Sequence, residues 1–430
     1  MYITLFYFHY CNFADAFHGG IMSKREVLLL TITGQDKPGL TTSITEILSE
    51  YKADILDIGQ AVIHNSLSLG MLVEIEDIHT SNILKDLLYK SYDLDISVKF
   101  NPVHSQDYRD WVKQQGKGRY IVSMLSRRIT AKQIAAVTNI IYKQGLNIDI
   151  INRLTGRVPL DPEKNNGKAC VEFSVRGIPA DEEKMKSEFY NLTQDIDADI
   201  AFQHDDIYRK NRRLVCFDMD STLIQAECIV ELAKRHGVGK EVHEVTEAAM
   251  RGELDFKESF TKRVALLKGL DVSVMQEIAD ELVITEGAER LIGSLKAFGY
   301  KIAVLSGGFT FFARELQKKL GIDYIYANDL EVADGKLTGN YLGDIVDGER
   351  KAQLMKLIAQ MEHIQLEQVI AVGDGANDLP MINAAGLGIA FHAKPLVQQN
   401  ARHAISTVGL DGILYLLGYR DRHLAQRERK

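Results

Sequence analysis

The apolar positions in the first half of the chain follow two spacings. Apolar residues that alternate or run together predict strands, whereas apolar residues that recur every three or four positions predict helices. Between residues 25 and 103 these spacings predict the order strand, helix, strand, strand, helix, strand. The same order returns between residues 117 and 204. We therefore predict two consecutive βαββαβ repeats, which agree in pattern rather than in residue identity.

The second half of the chain contains three apolar runs that stop on polar residues. The predicted strands are 214–217, followed by Asp218 and Asp220; 301–305, followed by Ser-Gly-Gly at 306–308; and 369–372, followed by Gly-Asp-Gly-Ala-Asn-Asp at 373–378. In open α/β sheets, ligands bind beyond the carboxyl ends of the strands. Three such ends therefore predict one shared binding site.

The spacing of Asp218 and Asp220 suits phosphoryl transfer. Residues two apart share one face of a strand, so past its end both can serve one site. An ionised carboxylate such as Asp218 can attack phosphorus once a cation masks the repulsion between the anions. Asp220 can protonate the leaving alkoxide and later deprotonate water, and Thr222 with the amides of the turn can hold phosphate oxygens. Taken alone, the pair fits an ordinary strand end or helix N-cap equally well.

The combined motifs resemble those of the haloacid dehalogenase-like phosphatases. The four motifs of that family read here as residues 218–222, 306–308, Lys351 and 373–378. The resemblance covers about residues 212–418 and narrows to the phosphoserine phosphatase subgroup. The specificity residues of that subgroup match Glu227, Met250, Phe256 and Arg263. The resemblance implies an α/β fold with a doubly wound, Rossmann-like parallel sheet and a helical cap at about residues 227–287.

The resemblance also implies a role for each matched residue. Asp218 would be the nucleophile, and Asp220 the general acid and base. Mg²⁺, a hard cation that prefers oxygen ligands, would be bound by Asp218, Asp374 and the backbone carbonyl of Asp220. The phosphoryl group would be bound by Ser306, Gly307, Lys351 and Asn377, with Thr222 and Asp378 in support.

The implied substrate is O-phospho-L-serine. Besides its phosphate, this molecule carries an ammonium group, which Glu227 would bind, and a carboxylate, which suits the two-pronged guanidinium of Arg263. Met250 and Phe256 would exclude water from the site. Without the surrounding motifs, these four would be ordinary surface or core residues.

The implied reaction is Mg²⁺-dependent hydrolysis of phosphoserine through an aspartyl-phosphate, the last step of serine biosynthesis. Two alternatives stay open. One is a phosphotransferase that passes the phosphoryl group to another alcohol, such as homoserine. The other is an amino-acid sensor with a degenerate phosphatase half.

Each βαββαβ repeat resembles an ACT domain, a ferredoxin-like fold found in amino-acid-controlled enzymes. In the first repeat, the turn with Asp36, Gly39 and Leu40 is similar to the ligand loop of that family. The second repeat departs from the pattern, because it has Ser-Arg-Arg-Ile-Thr at 126–130 and no Pro-Gly. The resemblance implies a homodimer paired through the sheet edges, with free serine, the reaction product, as effector. Alternatively, the repeats serve only as dimerisation scaffolds.

Length and charge limit the remaining possibilities. The 430 residues exceed the ~250–300 that a single core serves. The net charge of −8 argues against nucleic acid as a partner, and no stretch reaches the roughly 20 apolar residues of a membrane span. The four cysteines form no Cys-x-x-Cys pair and the N-terminus lacks a signal-peptide pattern, so we expect a cytoplasmic protein.

These observations predict six segments. They are an N-terminal extension at 1–24, an ACT-like domain at 25–103, a second at 117–204, a linker at 205–213, a phosphatase domain at 214–420 and a charged tail at 421–430. Because Met22 stands directly before the first strand, we expect translation to start there.

Overall fold

The computed structural model describes residues 25–114, 118–157 and 167–424. The chain divides into two compact units, residues 1–116 and 117–430. The predicted extension at 1–24, with the expected start at Met22, and the end of the predicted tail from residue 425 lie outside the described residues. Among the residues described, we find no helix with the length and apolar character needed to span a membrane.

The first unit contains the first repeat as an antiparallel four-stranded sheet with two helices on one face. Its elements are β1 (Arg25–Gln35), α1 (Leu40–Glu50), β2 (Asp54–Ile63), β3 (Ser66–Glu76), α2 (Asp77–Leu94) and β4 (Ile96–Val103), followed by α3 (Ser105–Gln114). The strand order is β2-β3-β1-β4. Fully buried Leu30 and Ile32 of β1 share a core with Ile44 and Leu48 of α1. The predicted βαββαβ order is confirmed; α3 was not predicted.

The second repeat has the same topology. Its elements are β5 (Arg119–Ser126), α4 (Ala131–Lys143), β6 (Asn147–Arg153), β7 (Ala169–Arg176), α5 (Glu182–Ile196) and β8 (Asp199–His204). The strand order β6-β7-β5-β8 matches that of the first sheet position by position. Thr130 and Gln133 form a capping box that fixes the start of α4. The internal repeat is therefore confirmed at the level of topology.

A seven-stranded sheet forms the rest of the second unit. Its strands are β9 (Leu214–Phe217), β10 (Lys301–Phe309), β11 (Tyr324–Ala333), β12 (Lys336–Leu342), β13 (Val369–Gly373), β14 (Leu387–Phe391) and β15 (His403–Ile405). The order is β12-β11-β10-β9-β13-β14-β15. All four residues of the central strand β9 are buried, as expected for a parallel strand covered on both faces. The pairings are parallel except at the edge, where β12 pairs antiparallel with β11.

Helices form the predicted cap and cover the sheet. The cap contains α6 (Cys228–His236), α7 (Gly239–Met250), α8 (Phe256–Ala265) and α9 (Ser273–Glu281). The remaining helices are α10 (Ala288–Ala297), α11 (Thr310–Leu320), α12 (Gly348–Met361), α13 (Leu379–Ala384), α14 (Pro395–Asn400), α15 (Gly412–Leu416) and α16 (Asp421–Leu424). The two connections between cap and sheet are paired, because Thr285 N donates to Leu223 O and Gln225 N to Val283 O, each at 2.9 Å. The cap is therefore joined to the sheet layer through one double-stranded connection.

Charged side chains connect the second repeat to the seven-stranded part of the unit. Arg127 pairs with Glu286 at 2.8 Å, beside the cap connection. Lys168 pairs at 2.7 Å with Asp411, which is fully buried and also pairs with Arg290 at 2.9 Å. A buried charge is tolerated when it is paired, so Asp411 fixes the second repeat against the sheet layer.

The basic segment before β9 is packed rather than free. Arg209 is 2% exposed and pairs with Glu172 of β7, and Arg212 donates to Glu367 O at 2.8 Å. The predicted linker at 205–213 thus contributes to the contact between the second repeat and the sheet, while the domain boundaries themselves stay a prediction.

Candidate active site

The three predicted strand ends meet in the middle of the seven-stranded sheet. Strand β9 lies between β10 and β13, with Phe217 in register with Val304 on one side and Val372 on the other. Asp218 follows immediately and donates its backbone N–H to Val372 O at 2.9 Å. The apolar runs therefore bring residues 218–222, 306–308 and 373–378 to one edge, as the sequence predicts.

Lys351 lies between two carboxylates at the centre of this edge. Its Nζ is fully buried, 2.8 Å from Asp218 Oδ1 and 2.7 Å from Asp378 Oδ1. Burial lowers the pKa of Lys351, but the Asp218 and Asp378 carboxylates outweigh burial and raise the pKa above its ordinary value. The lysine is therefore a fixed positive charge beside Asp218.

Helix α12 carries Lys351 to this position. The Asp347 side chain accepts a hydrogen bond from Arg350 N at 2.9 Å and so caps the helix. At Gly348 a Cβ atom would lie 2.6 Å from Asn377 O, so only glycine lets the helix start against the 373–378 loop. Asn377 itself is half-buried on a single 3-10 turn at 376–378.

Negative charge is crowded around the lysine. Burial and the neighbouring Asp378 raise the pKa of Asp218 well above its ordinary value. Burial and Glu227 raise the pKa of Asp220 to about 6, and burial and Asp378 raise that of Asp374 to about 7. A site with this excess of buried carboxylates is suited to a cation.

Three of these carboxylates are arranged as a potential metal site. Oxygen atoms of Asp218, Asp374 and Asp378 lie within 4.8 Å of one another. Asp218 Oδ1 is buried and, although Lys351 Nζ is at ion-pair distance, it accepts no hydrogen bond of suitable angle from the described residues. Carboxylate oxygens with a free lone pair are the ligands that Mg²⁺ prefers. The donor set therefore fits a hard divalent cation.

The turn after β9 orients Asp220 and Asp374. Cys228 N, at the start of α6, donates to Asp220 Oδ1 at 3.2 Å. The hydroxyl of fully buried Thr222 donates to Asp374 Oδ1 at 3.1 Å. Ser221 has a φ of +56°, which turns the chain sharply directly after Asp220. Thr222 thus joins the first and fourth motifs. The contact from Cys228 was not predicted.

The Ser306–Gly308 segment places a hydroxyl and two glycines beside Asp220. It lies at an irregularity near the end of β10, which continues to Phe309 rather than ending at residue 305 as predicted. Gly308 N donates to Ser306 Oγ at 2.9 Å, which leaves the proton of this fully buried hydroxyl directed to another acceptor. A Cβ atom at Gly308 would lie 2.5 Å from Asp220 Oδ2, so a side chain at 308 would displace that carboxylate. Gly308 was not among the predicted site residues, although it is the last position of the second motif.

The predicted substrate-binding residues surround the other side of the site. Glu227 is exposed and its Oε1 accepts a hydrogen bond from Ser221 Oγ at 2.8 Å. Arg263 of α8 is half-buried; burial lowers its pKa, although Glu227 and Asp220 are near enough to oppose that effect. Phe256 covers the Ser306–Gly308 segment, with its ring 3.0 Å from the position that a Cβ of Gly307 would take. Glu227, Arg263 and Phe256 thus lie at one site.

Two groups of predicted residues are not among those that line this site in the described structure. Met250 is the last residue of α7, but its side chain lies outside the described part of the structure. The predicted effector loop belongs to the first unit: Gly39 has a φ of +86° and caps α1, whose first residue Leu40 is buried. Asp36 N donates to Asn65 O at 2.8 Å. The left-handed conformation explains the glycine at 39.

Both halves of the chain match known families. Residues 215–383 match the haloacid dehalogenase-like hydrolases, and residues 26–101 match the ACT domain. Phosphoserine phosphatase of Streptomyces coelicolor is 41% identical over 391 residues, which cover 91% of this chain and 92% of that protein. Phosphoserine phosphatase SerB2 of Mycobacterium tuberculosis is 35% identical over 401 residues, or 92% of this chain and 94% of the relative.

The fold is also similar to those of solved structures. A probable phosphoserine phosphatase from Vibrio cholerae, in unliganded form, superposes with a TM-score of 0.56 at 34% identity, covering 71% of this chain and 87% of that one. A hydrolase of the haloacid dehalogenase family from Salmonella enterica gives a TM-score of 0.59 at 29% identity, covering 69% of this chain and 98% of that one. The similarity to the full-length relatives extends over nearly the whole chain.

Proposed function

The chain belongs to the phosphoserine phosphatases of the haloacid dehalogenase-like hydrolases, and we propose that it hydrolyses O-phospho-L-serine to L-serine and inorganic phosphate, the last step of serine biosynthesis. The observation that carries this proposal is the buried Lys351 held between Asp218 and Asp378. It places a permanent positive charge where a phosphoryl group must approach a carboxylate nucleophile. Retaining such a costly buried cluster argues against a degenerate phosphatase half.

In the first step, an Asp218 oxygen attacks phosphorus while the bond from phosphorus to the serine oxygen breaks. The leaving alkoxide takes a proton from Asp220, whose pKa of about 6 leaves part of the population protonated near neutral pH. Lys351, the Ser306 hydroxyl and the backbone N–H of Gly307 would bind the phosphoryl oxygens, and Asn377 would line their pocket. The products are free serine and phosphorylated Asp218.

In the second step, water attacks the phosphorus of the aspartyl-phosphate. Asp220, now ionised, accepts a proton from the water, and the bond from phosphorus to the Asp218 oxygen breaks. Inorganic phosphate leaves and both aspartates return to their starting states. One carboxylate thus serves as acid and then as base, which requires the raised pKa that burial gives it.

A Mg²⁺ ion fits the acidic group described above. We assign its ligands to Asp218, Asp374 and the backbone carbonyl of Asp220, with Asp378 holding Lys351 in place. When bound, Mg²⁺ supplies positive charge that offsets the repulsion between the phosphate dianion and the carboxylate nucleophile.

Selectivity for phosphoserine is assigned to Glu227 and Arg263. Replacing Arg263 with alanine is expected to lower kcat/KM for phosphoserine about 100-fold, because a charged hydrogen bond to the substrate carboxylate is lost. For phosphoethanolamine, which lacks that carboxylate, kcat/KM should fall less than about threefold. The measurement is phosphate release from both substrates by wild type and R263A.

The exposed Arg235, which pairs with Glu281 on the cap, provides a matched control, and R235A should leave both rates unchanged. Equal losses on the two substrates in R263A would contradict the assignment of the carboxylate to Arg263. If the wild type ignored phosphoserine while hydrolysing another phosphate ester, the proposed substrate itself would be wrong.

We assign free L-serine to the first repeat as effector. The support is Gly39, which has a left-handed backbone conformation. No atom of the described residues lies within 4 Å of the position that a Cβ at Gly39 would take, so the loop leaves space beside the start of α1. Equilibrium dialysis with labelled L-serine should show saturable binding to the wild type that is weakened in D36A. Equal binding by wild type and D36A would exclude the loop as the effector site.

A homodimer paired through sheet edges remains our proposal for the assembly. Edge strand β2 is exposed along most of its length, with Ile58 50% and Ile63 80% exposed. Unpaired edges with apolar side chains favour pairing with another strand.

The described cysteines at 170, 216 and 228 are free thiols, which agrees with the cytoplasmic location that we propose.

A further inference from the structure

One buried amide side chain links the two segments that position Ser306 and Lys351. Asn328 of β11 is 2% exposed. Its Nδ2 donates to Gly307 O at 2.9 Å and to Gly308 O at 3.3 Å. Its Oδ1 accepts from Val346 N at 2.8 Å. A single side chain thus joins the Ser306–Gly308 segment to the segment that leads into α12.

The surroundings of Asn328 accept only an asparagine. Two carbonyl oxygens require donors on one side, and one N–H requires an acceptor on the other, which is the complement of an amide group. An aspartate of the same shape would direct an acceptor at two carbonyl oxygens. An aliphatic side chain would leave all three backbone groups without this partner.

The hydrogen bonds continue from Asn328 to the Ser306 hydroxyl. Gly307 O and Gly308 N–H belong to one planar peptide group, so fixing the carbonyl also fixes the direction of the N–H. That N–H donates to Ser306 Oγ at 2.9 Å. Asn328 therefore determines where the serine hydroxyl points, although it lies outside the second motif.

The same side chain also fixes the entry to α12. Val346 stands directly before Asp347, the N-cap residue of the helix, and Lys351 lies in the first turns of that helix. Through Val346 N, Asn328 holds the helix start at a fixed distance from the Ser306–Gly308 segment. Asn328 thereby sets the separation between Ser306 and Lys351 through its contacts with both segments.

We propose that Asn328 is a positioning residue for phosphoryl transfer, which holds the Ser306–Gly308 segment and Lys351 at the separation that a phosphoryl group requires. It acts on the phosphate end of the substrate and not on the serine end. This inference rests on the proposed function, since both segments bind phosphoryl oxygens there. Misplacing such groups by about 1 Å costs on the order of 100-fold in rate.

The test compares N328A and N328D with wild type and with the control N340A, an exposed asparagine on the neighbouring strand β12. The readouts are kcat/KM for phosphoserine and phosphoethanolamine, and the inhibition constant of inorganic phosphate. We expect kcat/KM of N328A to fall about 10-fold to 100-fold on both substrates, and that of N328D to fall further. The inhibition constant of inorganic phosphate should rise about tenfold. The ratio of the two kcat/KM values should stay within about twofold of wild type, because Arg263 is untouched.

Two results would overturn the proposal: a phosphate inhibition constant that N328A and N328D leave unchanged, or a kcat/KM ratio that changes as much as it does in R263A. If N328A does not fold, as judged by its melting curve, N328T keeps one hydroxyl for these contacts and should show the same pattern in weaker form. Failure of the wild type to release phosphate from phosphoserine would instead count against the proposed function.

Discussion

Replacing Asp218 with asparagine is expected to abolish phosphoserine hydrolysis, with a loss on the order of 10⁴-fold or more. The amide cannot form the acyl-phosphate, and no other described carboxylate holds the same place at the end of β9. The fold should survive, because burial and Asp378 oppose the ionised form of Asp218, and a neutral side chain removes that cost. The measurements are Mg²⁺-dependent phosphate release and the melting temperature.

Two further measurements make this prediction specific. Acid quenching of wild type during turnover of labelled phosphoserine should trap label on the protein, and D218N should trap none. D329N, which changes an exposed aspartate of β11, should match wild type in both assays. Substantial turnover by D218N, or labelled D218N protein, would show that another residue is the nucleophile.

The position of the catalytic edge could be predicted from the sequence because its cause is local. A run such as residues 214–217 is apolar at every position, which is typical of a strand covered on both faces. The polar residues that end such runs must then lie where the strands end. The two βαββαβ repeats could be predicted for the same reason, since each element has its own spacing of apolar positions.

The supporting contacts could not be predicted, because they join residues that are distant in sequence. Nothing in the apolar pattern of β11 marks Asn328 as the partner of two glycine carbonyls. The contact of Gly308 with Asp220 depends on how β10 lies beside β9. The pairing of Arg127 with Glu286 also depends on packing, here at the loop where the second repeat departs from the ACT pattern.

Replacing Lys351 with methionine is expected to lower both activity and stability. Methionine keeps most of the side-chain length but removes the charge that binds the phosphoryl oxygens, so kcat should fall by about 10²-fold to 10³-fold. It also leaves Asp218 and Asp378 buried without their counter-charge, which costs roughly 3–5 kcal/mol when one partner of a buried ion pair is removed. K356M, on the exposed side of the same helix α12, should change neither property.

The pH dependence of this loss tests its electrostatic cause. The pKa of Asp218 is already raised in the wild type by burial and Asp378. Without the lysine charge, Asp218 avoids the repulsion from Asp378 by taking up a proton, so K351M should gain stability relative to wild type as the pH falls from 8 to 5. Melting temperatures of K351M and wild type across that range measure the effect. A constant difference between them would mean that Lys351 stabilises the site by packing alone, whereas a difference that narrows at low pH assigns the stabilisation to its charge.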